Sequence, residues 1–107
     1  MGVFDDREKS FENRFAVEEA LAFKARARQD QRLGLWAAGL MGKNAMEAEA
    51  YAAAIVETQV ERPDDEALFE KLRGDLKIAG VAISDHRIRR KMAEAIAEAR
   101  RDLAAGR

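Results

Sequence analysis

Nucleophilic, acid–base and metal chemistry near neutral pH most often rests on histidine and cysteine, and this chain has one of the former, His86, and none of the latter. No Cys/His pair, histidine cluster, thiolate metal site or disulfide framework can be assembled from it. His86 follows Ser84 and Asp85, a helix N-cap pattern, so its simplest reading is a solvated residue in a first helical turn. The glycines fall into neither a GxxxxGK[ST] phosphate loop nor a GxGxxG turn. Carboxylates are plentiful, but they alternate with cations: Asp5 with Lys9, Arg14 with Glu18 and Arg90 with Glu94 stand at i,i+4 spacing. Such pairs contribute only a few tenths of a kcal/mol and mark a solvated helix face more often than a catalytic pair. The expectation is a non-enzyme with no catalytic residues, no metal and no cofactor.

Binding chemistry is better represented. The N-terminal run MGVFDDREKSFENRFA places Phe4, Phe11 and Phe15 among dense charge. On a helix, offsets of seven and eleven residues bring these three positions to one side and align Asp5, Glu12 and Glu19 on another. Three of the chain's five phenylalanines are spent there, either to cover its own core or to enter a partner's groove. Two basic clusters, Lys24, Arg26, Arg28, Arg32 and Arg87, Arg89, Arg90, Lys91, could hold phosphate or an acidic protein surface, although nearby acids favour a solvated face. Trp36, between Leu33, Leu35 and Leu40, reads as a core residue before an interface anchor.

These residues must be positioned by helices. With 107 residues the chain fits one domain with one hydrophobic core. Helix formers dominate, β-branched residues are sparse and proline occurs once, which predicts an all-α fold. The balance of 19 basic against 20 acidic side chains lacks the basic field of a dedicated nucleic-acid binder. There is no signal-peptide apolar region and no apolar run near the ~20 residues that would insert into a membrane. A cytoplasmic protein is expected.

Four helical stretches are predicted. No glycine or proline interrupts Val3 to Leu33, so one helix can run from the N-terminal strip through Trp36 to Leu40, with Gly39 and Gly42 marking its end. Asn44 with Glu47 forms a capping box for a second, alanine-rich helix. Its apolar face is Tyr51, Ala54 and Ile55, it reaches to about Thr58, and its small residues would admit a neighbour closely. Pro63 and the acidic Asp64-Asp65-Glu66 introduce a third helix carrying Leu68, Phe69, Leu72, Leu76 and Ala79 and stopped by Gly80. Gly74 inside it suggests a close crossing or a small kink. Ser84 and Asp85 cap a fourth, with the stripe Ile88, Met92, Ala95, Ile96, Ala99 and Leu103. Short connections favour a compact four-helix bundle, with the N-terminal amphipathic segment folded on it or free.

The motifs FDDREKSFENRFA at 4–16, Phe23-Lys24, LGLWAA at 33–38, Met41-Gly42, LRGDLKIAGV at 72–81 and IRRKMAEAIAEAR at 88–100 span nearly the whole chain. Together they resemble the zeta-type ATPase inhibitor subunit of alphaproteobacterial F-type ATP synthases. Gln29-Asp30-Gln31-Arg32 departs from that pattern, standing where the family has a more basic and apolar run. The resemblance implies a four-helix bundle at 17–107 and an inhibitory segment at 1–16 that enters a catalytic subunit interface, in a role similar to the mitochondrial inhibitor protein's. The partner would be the catalytic head of the ATP synthase, which would hold the protein peripheral to the inner membrane. The inhibitory contacts would be Phe4, Asp5, Asp6, Arg7, Glu8, Lys9, Phe11, Glu12, Asn13, Arg14 and Phe15. Two alternatives stand beside this reading: a module that weakly binds a small anion such as an adenine nucleotide, or an assembly factor of the same complex.

Overall fold

A computed structural model describes the backbone from residue 3 to residue 107, together with the side chains of Arg14 and of residues 16–107. Four helices follow one another: α1 (Val3–Leu40), α2 (Ala45–Glu61), α3 (Asp65–Ile78) and α4 (Asp85–Ala104). No strand occurs among the described residues. The architecture is the all-α bundle expected.

Local chemistry accounts for the boundaries. At the start of α2 the Asn44 side chain accepts from the Glu47 amide at 2.8 Å and the Glu47 carboxylate accepts from the Asn44 amide at 3.0 Å, so the capping box forms in full. This helix runs to Glu61 rather than to about Thr58, because nothing breaks it before Pro63. Proline disfavours helical backbone in the residue before it, and Arg62 accordingly leaves the helix at φ −139°, ψ 83°. Asp64 caps α3 by accepting from the Glu66 and Ala67 amides, and Ser84 caps α4 by accepting from the Arg87 amide. At the end of α3 the Gly80 amide reaches the Lys77 carbonyl, and Gly80 then takes φ +78°, which turns the chain so that the Val81 amide reaches the carbonyl of Leu76. Val81 then packs back onto the core.

The core is built on α1, which packs along both α2 and α4 while α3 closes the bundle against α1 and α4. Leu33 and Ala37 of α1, Ile55 of α2, Leu68, Phe69, Leu72 and Leu76 of α3, and Ile88, Met92 and Ala95 of α4 form one buried cluster. On α2 the inward alanine is Ala52, whereas Ala54 faces solvent. Helices α1 and α2 approach closely at Gly34: a Cβ there would lie 2.5 Å from the Ala52 Cα. The close approach expected of the small residues in α2 is thus met by a glycine on the facing helix. Gly74, by contrast, has nothing within 4 Å of where its Cβ would sit, so no close crossing explains it.

Candidate partner-binding arm

Helix α1 has 38 residues against 17, 14 and 20 for the other three, so it outruns every helix that packs on it. At about 1.5 Å per residue it is roughly twice as long as α4, and the molecule correspondingly measures 65 × 26 × 24 Å. Its first buried residue among those described is Ala25. From Ala16 to Lys24 every side chain is exposed, including Val17, Leu21 and Phe23 at 57%, 43% and 55%. Val17 and Leu21 stand one turn apart on the same side of the helix, and Phe23 lies on another side. The eleven positions from Phe4 to Phe15 singled out in the sequence all fall within α1, on the N-terminal side of this stretch. Of their side chains only Arg14 is among those described, and it is exposed.

Where α1 enters the bundle it meets a polar seam. Gln29 is buried and donates from Nε2 to the Met92 carbonyl of α4 at 3.2 Å. Gln59, near the end of α2, is also buried and accepts from the Asp64 amide at 3.0 Å, tying the elbow between α2 and α3. Between them lies a small cavity of about 120 Å³ lined by Arg26, Gln29, Asp30, Gln59, Pro63, Asp64 and Asp65. Asp30 is only 4% exposed. Burial, then the nearby Asp65 carboxylate, push its pKa up to about 7 against a partial opposing pull from Arg26. Sequence reasoning noticed the unusual run at 29–32 but not the burial of Asp30. The remaining cation of that run, Arg32, pairs with Asp102 and, at 3.5 Å, with Glu98 of α4.

The second basic cluster divides. Arg89 makes a two-pronged contact with Glu66 at 3.0 and 3.2 Å while its guanidinium lies 3.8 Å from the centre of the Phe69 ring, so it clamps α4 to α3. Arg87, Arg90 and Lys91 instead line a cavity of about 300 Å³ with Trp36 and Glu94. Glu94 already pairs with Arg90 at 3.3 Å. Trp36 is half-buried, one side packed on the core and the rest facing this cavity.

A third polar cluster ties α2 to α3. The Tyr51 hydroxyl donates to Asp75 at 2.6 Å, and Lys71 reaches the same carboxylate at 3.1 Å. Burial and the Asp75 hydrogen bond push the phenol well above its ordinary range. Burial works against ionised Asp75, but the bonds from Tyr51 and Lys71 outweigh it and hold that carboxyl below its usual range. The cluster holds α2 to α3. His86 is exposed. Among the described residues no group of three or more His, Cys, Asp and Glu side chains is arranged to hold a metal ion.

The described residues define an all-α bundle whose longest helix carries an exposed stretch with apolar side chains at Val17, Leu21 and Phe23. The family model for ATPase inhibitor subunit zeta matches residues 1–102, and the chain belongs to that family. The match takes in the arm as well as the bundle, and an ATPase-inhibiting role follows from membership. A search of curated proteins finds no match. Among the described residues no helix is long and apolar enough to cross a membrane.

Proposed function

We propose that this protein is a non-enzymatic inhibitor of ATP hydrolysis by an F-type ATP synthase and that residues 1–16 enter a catalytic subunit interface while 17–107 form the docking bundle. Family membership supports the target. The observation that supports the mode of action is the exposed stretch Ala16–Lys24, which follows the candidate strip in the same helix. Rotary hydrolysis requires catalytic interfaces to open and close. A helix that binds one interface state far better than the others holds it there and stops the cycle without any chemistry of its own. Phe4, Phe11 and Phe15 are the proposed apolar anchors, each contributing roughly 1.5–3 kcal/mol when fully buried. Arg7, Lys9 and Arg14 would pair with acidic groups of the partner, and Asp5, Asp6, Glu8 and Glu12 with basic ones, with Asn13 hydrogen-bonding at the same interface. In this reading the protein works in the cytoplasm, at the membrane surface only through the complex it inhibits.

Deleting residues 1–15 is expected to leave a folded bundle that no longer inhibits hydrolysis by the cognate enzyme, and Phe11→Ala with Phe15→Ala to weaken inhibition strongly. Equal inhibition by truncated and full-length protein would remove the strip from the mechanism. The cavity of Trp36, Arg87, Arg90, Lys91 and Glu94 supports a second reading, an anion site for a ligand such as an adenine nucleotide: an aromatic side chain beside Arg87 and Lys91, with Arg90 shared with Glu94, suits a base and its phosphates. Titration with adenine nucleotides, followed by NMR, should move the Trp36 indole and the amides of 87–91; unmoved signals at millimolar ligand reject it.

A further inference from the structure

We propose that Asp30 is a proton-operated latch at the root of the arm: neutral, it lets the elbow between α2 and α3 close over α1, and ionised, it drives that elbow away. The geometry has three parts. Asp30 is almost wholly buried in α1, one turn from the exposed Arg26. The small, partly open cavity it lines is also lined by Gln59 at the end of α2 and by the exposed Pro63, Asp64 and Asp65 leading into α3. Both acids share with Asp30 a space of about 120 Å³.

The charged groups around Asp30 are few. Arg26 comes from its own helix and stands in water, Asp64 and Asp65 come from the α3 end of the elbow, α2 contributes the uncharged Gln59, and α4 contributes nothing to the cavity wall. Asp64 is committed to the α3 cap, where its Oδ1 holds two amides, so it cannot turn away without unravelling that end. An ionised Asp30 therefore sits largely out of water with Asp65 adding to its cost and Arg26 offsetting part of it, while a neutral one adds only a hydrogen-bonding hydroxyl to a seam that already contains two amide side chains.

The direction of the pH effect follows from linkage. In the packed fold burial, then Asp65, raise the Asp30 pKa from the ordinary 3.8 to about 7; in the proposal an elbow swung open would return it toward the ordinary value, so the closed form would hold a proton that the open form releases. The latch is tightest below the lower value, weakens as pH rises between the two, and is weakest above the upper one. It lies among the residues where α1 passes from water into the bundle, so the elbow it controls is part of the arm's anchorage. Burial and repulsion act here on a seam of the fold itself, whatever partner the arm meets.

The test uses the full-length protein and two variants. Asp30→Asn mimics the neutral acid without its proton and should fold; Asp65→Asn removes one facing charge. For the wild type, side-chain carboxyl NMR should show Asp30 titrating near neutrality. Amide exchange at 59–66, corrected for the intrinsic pH dependence, should accelerate markedly from about pH 4 to about pH 7 and level off above that, and Tm should fall by several degrees over the same range. In Asp30→Asn the corrected exchange and Tm should lose that slope, and in Asp65→Asn the Asp30 midpoint should move down. An Asp30 midpoint in the ordinary carboxylate range overturns the proposal. So does an elbow whose exchange has the same pH slope in wild type and Asp30→Asn.

Discussion

Two stretches of α1, Ala16–Lys24 and Ala25–Leu40, share one uninterrupted helix yet live in different surroundings. In the second, Ala25, Leu33, Ala37 and Ala38 are at most 2% exposed, with α2 and α4 lying along them. In the first, Val17, Leu21 and Phe23 stand in water. Helical continuity therefore reports nothing about burial. A helix of this length is held by the half that packs, and the other half is carried with it. The division suits an inhibitor whose body and arm have separate tasks, because changes in the arm need not disturb the fold that presents it.

Substitutions can break or sharpen that contrast. The largest effect is expected at Leu33, which is fully buried: Leu33→Ala should cost about 2–5 kcal/mol in chemical denaturation. Gly34→Ala comes next. A helix interior would ordinarily favour alanine, but here the added methyl meets the Ala52 backbone, so a net loss of about 1–3 kcal/mol is expected from forcing α1 and α2 apart. The smallest effect belongs to the arm, where Leu21→Ala should change stability by no more than about 0.5 kcal/mol. If Leu21→Ala were as damaging as Leu33→Ala, the two halves of α1 would not be separate environments. If Leu21→Ala left stability intact but weakened inhibition, the partner's footprint would extend from the strip toward the bundle.

The local features were legible in the chain. Asn44 with Glu47, Asp64 before its two acidic neighbours, Ser84 before α4 and Gly80 after α3 all act within one turn, through groups a few residues apart, so their spacing suffices to place the ends. The end of α2 was less legible because propensity fades gradually until Pro63 imposes a stop. Gly74 and Gly34 show the boundary most clearly. Both are glycines inside helices, and periodicity drew attention to Gly74, but only the position of α2 reveals that Gly34 is the one with a neighbour in the way. The candidate strip was readable as a pattern of phenylalanines and charges, and the family match covers it. Its bare continuation through Lys24 was not, since exposure depends on where the other helices end.

The sequence by itself determined the helical class, the caps and the absence of Cys/His chemistry, because these depend on composition and on interactions closed within a turn. Tertiary structure alone decided which apolar residues of α1 remain in water and that a buried Asp30 shares a cavity with Asp64 and Asp65. It also decided that Arg89 clamps α3 while Arg87, Arg90 and Lys91 share a cavity with Trp36. Desolvation and charge repulsion depend on distance in space, and those distances exist only once separate helices are packed together.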